Sequence, residues 1–246
     1  MRMLSFAQRN AKDSLRDPLN LAFGLGFPTV LLLLLSAIQA NIPVSLFEIG
    51  KLAPGIAVFG MSFITLFAAT LIARDRESSF LQRLYTTPLR PSDYILGYLL
   101  PLLPIAMAQS AVSYCVAFAL GLTPSLNIVL AVLASLPICV IYISLGLLCG
   151  SLLNVKQVGG ICGALLTNLS AWLSGIWFDI DLVGGAFKSV AKCLPFLHAV
   201  ELERAIVSGS HEGILLSIAV VLAYALLLTV LAILAFLAPM RLLNKN

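Results

Sequence analysis

An imidazole within reach of carboxylates suits proton-transfer chemistry, and one stretch of the sequence supplies that combination: His198, Glu201 and Glu203 in "FLHAVELER". At a membrane surface such a set would suit an ATP-independent lipid-modifying enzyme. Other chemistries find less material. "WLSGI" at Trp172 to Ile176 lacks the leading glycine of a GxSG nucleophile motif, and both histidines, His198 and His211, lie away from it. The phosphate-cradling pattern GxxxxGK[ST] occurs nowhere, and "GAFKS" at Gly185 to Ser189 is not a variant of it. Cys115, Cys139, Cys149 and Cys162 stand in apolar runs and Cys193 stands alone, without CxxC or Cys/His spacing for zinc. No catalytic residue, metal ligand or bound cofactor is therefore assigned to this chain.

The elements that carry these residues are set by composition. With 60% hydrophobic and 11% charged residues, the chain exceeds the apolar content of soluble domains, so its solvent is lipid. A bilayer core about 30 Å thick takes roughly 20 apolar residues per helix. Six charge-free runs meet that length: Leu21 to Ala40, Pro54 to Ala73, Tyr94 to Leu120, Ile128 to Leu152, Val158 to Phe178 and Ile214 to Leu237. The ten-residue alternation of a barrel is absent. The expected fold is an all-α polytopic membrane protein of six spans, one domain over residues 1–246.

Positive charge fixes the expected orientation, because Lys and Arg are retained on the cytoplasmic side. With the N-terminus inside, Arg2, Arg9, Lys12, Arg16, Arg74, Arg76, Arg83, Arg90, Lys156, Arg241 and Lys245 fall inside, against Lys51, Lys188, Lys192 and Arg204 outside. Both termini are thus placed in the cytoplasm. The net charge of +4 reads as topology, and no loop is basic enough to bind nucleic acid. The spans hold no Asp, Glu, Lys or Arg, which counts against a carrier driven by protons or sodium.

Before the first run, Leu4, Ala7, Ala11 and Leu15 recur at helical spacing opposite Arg9, Lys12 and Arg16, and Asp17-Pro18 ends the pattern. Residues 1–18 read as an amphipathic helix on the inner membrane surface and its lipids. The turn Leu153 to Gln157 makes a tight hairpin of the fourth and fifth runs. Gly146/Gly150 and Gly159/Gly163 allow close helix approach there, within the chain or against a second copy. Residues 179–213 read as two short helices broken at Pro195 and re-entrant at the outer leaflet, or as a surface loop with one amphipathic helix.

Seven charged residues crowd the twenty positions from Arg74 to Asp93. Phe80, Leu81, Leu84 and Tyr85 gather on one helix side while Arg76, Gln82 and Arg83 take others, and Thr87-Pro88 stops the pattern. The positive-inside rule accounts for the arginines but not for the aromatic and leucine cluster, which suits docking on another protein.

This segment, Glu77-Ser78-Ser79-Phe80-Leu81-Gln82-Arg83-Leu84 with Tyr85-Thr86-Thr87-Pro88-Leu89 and Tyr94-Ile95-Leu96-Gly97-Tyr98, resembles the membrane-spanning subunits of ABC-2 type ATP-binding cassette exporters. It departs from their pattern at Ser79, Phe80, Gln82 and Tyr98. Arg16-Asp17-Pro18 with Pro28, and Pro195 with its amphipathic sequel, also resemble that family.

The resemblance implies a type V exporter transmembrane domain in a bacterial or archaeal inner membrane, paired with a second copy or a homologous permease. Two separate ATPase subunits would carry the ATP and Mg. A cytoplasmic coupling loop over 74–93 would meet the ATPase through Arg74, Arg76, Glu77, Phe80, Leu81, Arg83, Leu84 and Tyr85. The substrate path would run past Phe59, Ser62, Phe63 and Leu66 in the second span and Thr167, Asn168 and Trp172 in the fifth, walls suited to an amphiphilic drug, lipid or peptide antibiotic. Sodium or a polysaccharide is the alternative cargo within the family.

Overall fold

A computed structural model describes residues 2–42, 44–78, 80 and 91–243. Among these, every regular element is helical. Helix α1 (Arg2–Leu15) packs against the side of the bundle through Phe6, Ala7 and Asn10. After Asp17, α2 (Pro18–Leu21) passes through a π-helical turn, Ala22–Gly26, into α3 (Phe27–Asn41). The long helices are α4 (Ile49–Glu77), α5 (Pro91–Ala119) and α6 (Leu126–Leu152). A short α7 (Val155–Val158), a π-helical stretch Gly159–Leu166 and α8 (Thr167–Leu173) follow as one continuous rod. Then come α9 (Ile180–Val183), α10 (Gly185–Cys193), α11 (Pro195–Ser208) and the last long helix, α12 (Ile214–Leu243).

Five stretches are long and apolar enough to cross a bilayer: Ala22–Asn41, Ile49–Glu77, Asp93–Ala119, Leu126–Leu152 and Ile214–Leu237. The expected fifth run, Val158 to Phe178, is not among them. Its helix stops at Leu173, where the Ser174 hydroxyl donates to the Ala171 carbonyl at 2.9 Å and Gly175 turns the chain at φ +69°. Lys156, Gln157 and Asn168 further dilute the rod's apolar character.

α4 is the axis of the bundle, with 83% of its apolar window buried. Its tightest seam is with α6. A Cβ on Gly146 would overlap the Thr65 carbonyl and the Ala68 methyl, and one on Gly150 would overlap the Ala69 backbone. The Thr65 hydroxyl donates to the Tyr142 carbonyl across the same seam at 2.8 Å. This glycine pair therefore works within the chain, as small residues do where backbones must touch. Of the second pair, Gly159 faces open space and Gly163 meets only the Leu66 side chain at 3.4 Å.

The exposed leucines and valines of α3, α6 and α12 give the bundle an apolar outer surface of the kind that suits lipid. Phe6 of α1 and Phe236 of α12 both pack on Tyr98, with ring centroids 5.0 and 6.3 Å away. The two ends of the chain thus share one end of the bundle, called here the proximal end; the α5–α6 turn and α9 to α11 occupy the distal end.

Candidate functional site

At the proximal end α4 outlasts its apolar run. Asp75 falls on the face already buried by Ile72 and Ala68, so its carboxylate is carried to 3% exposure. Three donors meet it. Arg9 Nη1 donates to Oδ2 at 2.9 Å, Nη2 to Oδ1 at 2.7 Å, and the Tyr98 hydroxyl to Oδ2 at 2.8 Å. The hydrogen bond from Asp75 raises the Arg9 guanidinium above its ordinary range, against the burial that lowers it. The same guanidinium binds Asp13 at 3.1 Å and lies 4.1 Å from the Phe80 ring centre.

α1 is also held to α5 by a close approach. The fully buried Asn10 amide donates to the Gly97 carbonyl at 2.9 Å, and a Cβ on Gly97 would enter the Phe6 ring. Phe6 in turn stacks on Phe80 at 6.3 Å.

The remaining charged residues grip the next turn of the fold. Arg76 Nη1 donates to the carbonyls of Gly150 and Leu153 at 2.8 and 3.2 Å, satisfying groups orphaned at the end of α6. Glu77 Oε1 accepts from the Val155 amide at 2.9 Å, capping the start of α7. Arg74, 61% exposed, reaches Asp17 at 3.3 Å. Arg76, Glu77 and Phe80 thus tie α4 to α1 and to the α6–α7 turn, while Arg74 stays largely in solvent. Leu81, Arg83, Leu84 and Tyr85 lie outside the described residues.

A cleft of about 450 Å³ opens between α3, α4 and α8. Phe59 and Phe63, one turn apart on α4, form its floor. Phe23 and Phe27, one turn apart at the π-turn, face them with Phe27 5.5 Å from Phe63. Trp172, Trp177, Thr167 and Asn168 complete the rim. The Thr167 hydroxyl bonds the Cys162 carbonyl five residues back at 3.0 Å, closing the π-helical stretch.

Five residues named from the family path, Phe59, Phe63, Thr167, Asn168 and Trp172, are therefore brought together. Two are not. Ser62 is buried without a hydrogen-bond partner among the described residues, and Leu66 packs on Gly163. Phe23, Phe27 and Trp177 were missed, although Phe23/Phe27 repeats the i, i+4 aromatic spacing of Phe59/Phe63.

The acid/base set does not assemble. His198 Nε2 meets the Lys192 carbonyl at 3.0 Å, and its Nδ1 stands 3.6 Å from Glu201 Oε2. Glu203 points elsewhere, wholly buried, accepting from the Tyr114 hydroxyl at 2.6 Å and the Ser135 hydroxyl at 2.5 Å. Among the described residues no group of His, Cys and carboxylates could hold a metal. The charge-free runs themselves hold no acidic residue, but Glu203 reaches the interior of the bundle from the distal segment, wedged against α5 and α6.

A comparison with curated proteins gives no match. The family model described as ABC-2 type transporter matches residues 2–207, from α1 to the last turn of α11. With that match spanning the joint, the cleft and all the helices but α12, the chain belongs to the ABC-2 type transporter family.

Proposed function

We propose that this permease exports a hydrophobic or amphiphilic compound, such as a drug, a lipid or a peptide antibiotic, driven by two copies of a separate ATPase that binds ATP and Mg. The observation that carries this reading is the cleft. Its walls are six aromatic rings with one hydroxyl and one amide and no formal charge, and its volume is that of a small-molecule site. Such walls favour an apolar body with a weakly polar tip over an ion or a sugar chain.

The proximal joint is the coupling element, with 74–93 as its loop. Arg74 offers solvent-facing charge, and Arg76, Glu77 and Arg9 pass any displacement of α4 to α1 and to the α6–α7 turn. Six spans with both termini in the cytoplasm are supported by two facts. The chain ends share the proximal end, which requires an even number of crossings. The rod from Val155 to Leu173 is about 28 Å long at 1.5 Å per residue, close to the bilayer core. The proximal end is then cytoplasmic, α9 to α11 sit at the outer leaflet of a bacterial or archaeal inner membrane, and the cleft faces a second copy or a homologous permease.

The test is to purify the chain from its host in mild detergent, identify any Walker A protein at equal stoichiometry, and measure ATPase stimulation of the pair by hydrophobic compounds. Release of the partner by Leu84→Asp, with stimulation lost in Trp172→Ala, supports the proposal. Purification without a nucleotide-binding partner in several gentle detergents, or stimulation indifferent to Trp172→Ala and Phe63→Ala, overturns it.

A further inference from the structure

Glu203 is a buried feature of the distal end that neither the cleft nor the joint uses. It projects from α11 into the space between α5 and α6, and its two hydroxyl partners, Tyr114 and Ser135, are as buried as it is. At 1.5 Å per residue, Tyr114 lies about 8 Å below the end of α5 and Ser135 about 13 Å below the start of α6. The carboxyl therefore sits well inside the bundle.

The charged and titratable groups around it are committed elsewhere. Arg204, the neighbouring cation, turns away to the carbonyls of Lys51 and Gly175 at 3.1 and 3.2 Å. On α4 and the turn before it, Lys51 pairs with Glu48; on α10, Lys188 pairs with Asp181 and Lys192 faces Glu201; on α12, Tyr224 donates to the Cys193 carbonyl. His198 holds the Lys192 carbonyl and Tyr142 of α6 lies against Phe196. Among the described residues, Tyr114 and Cys139 are the titratable groups close to the carboxyl, and neither carries positive charge.

Ionised, the carboxylate would be a buried charge held by two neutral donors. Protonated, it completes a chain in which every group is satisfied: Tyr114 donates to Oε2, the Glu203 hydroxyl donates to Ser135 Oγ, and Ser135 donates to the Ala131 carbonyl at 3.2 Å. Ser110, 3.0 Å from Ser135, can add a donor to either form. A carboxylic acid kept neutral in this way ties one helix to two others without a net charge.

We propose that Glu203 is a proton-binding site whose neutral form latches α11 to α5 and α6, and whose loss of that proton to water on the distal side releases α11. Opening of the distal end is thereby linked to proton release. Burial pushes the Glu203 carboxyl up to about 7, against the hydrogen bonds from Ser135 and Tyr114 that lower it. The folded pKa is raised, so the latch holds fully below the ordinary carboxyl range, weakens as pH rises from there to about 7, and is released above it. The inference is independent of the cargo and of the ATPase.

The test is hydrogen exchange of the backbone over 195–208 in the full chain in lipid nanodiscs, corrected for the intrinsic exchange rate at each pH. Wild type should lose protection roughly tenfold per pH unit between about 5 and 7, then level off. Glu203→Gln should give a flat profile, and His198→Gln should leave the wild-type profile intact. Tyr114→Phe, which removes a donor that stabilises the ionised form more than the neutral one, should move the midpoint to higher pH. A flat wild-type profile, a pH dependence that survives in Glu203→Gln, or a midpoint unmoved by Tyr114→Phe overturns the proposal.

Discussion

Replacing Arg9 with Met keeps an unbranched apolar stem and removes the guanidinium with its charge, leaving Asp75 buried on the Tyr98 hydroxyl alone. Breaking a buried pair from one side costs about 3–5 kcal/mol. The Arg9 side chain is 37% exposed, against 4% for Asp75, so water admitted at the vacated site recovers part of that. The expected cost is about 2–3 kcal/mol, felt where the pair acts, in docking α1 to α4 and α5. That corresponds to roughly a 30- to 150-fold rise in local opening of α1.

Hydrogen exchange of the 2–15 segment measures it, with the 195–208 segment as an internal control. Asp75→Asn leaves Arg9 reaching towards water and should cost about 1 kcal/mol. The double variant should cost at least about 1 kcal/mol less than the two singles added together, because the unpaired carboxylate is gone. Additive singles, or a change of less than about threefold in Arg9→Met, would refute the idea that this pair holds α1.

The α4–α6 seam predicts that Gly146→Leu or Gly150→Leu yields no monodisperse protein in detergent, because the new atoms meet backbone; Gly163→Ala, which meets only a leucine terminus, should purify normally. Glu77→Ala removes the acceptor of the Val155 amide while the Asn154–Gln157 capping box stays in place, and should lower the thermal midpoint of the purified chain by the effect of about 1 kcal/mol, with Glu77→Asn recovering part of it. In the cleft, Trp172→Ala should weaken binding of a fluorescent aromatic amphiphile by about 5- to 10-fold, the effect of one lost ring contact, whereas Ser62→Ala, outside the cleft, should leave it unchanged.

The sequence discloses what depends on long averages. Charge-free length marks the five long helices, Asp17-Pro18 marks the end of α1, and Pro195 opens α11, because each signal is either a sum over many residues or a proline's fixed geometry. The rod from Val155 to Leu173 shows where averaging fails: Lys156 and Asn168 do not prevent helix formation, and a glycine turn, not a charge, ends it.

Burial of single carboxylates is less legible. Asp75 and Glu203 sit in stretches dense with exposed charge, and only the rotation of each helix against its neighbours decides that Asp75 turns inward while Arg74 does not. Arg9 and Asp75 are 66 positions apart, and Glu203 and Tyr114 are 89 apart, so no local pattern joins them. The two aromatic pairs of the cleft were readable as i, i+4 spacings, but not that they face each other.

The docking of α1 also has a consequence for how the chain is made. Its anchors, Asp75, Gly97 and Tyr98, are synthesised 66 or more residues after Arg9. At 5–20 residues per second the first helix waits at least about 3 to 13 s before its binding surface exists. During that interval the apolar stripe that later meets α5 has only the lipid headgroup layer to cover it. The amphipathic design of α1 thus serves two hosts in turn, the bilayer while the chain is being born and the bundle afterwards, and a ribosome-bound chain cut short before Gly97 should leave α1 on the membrane surface.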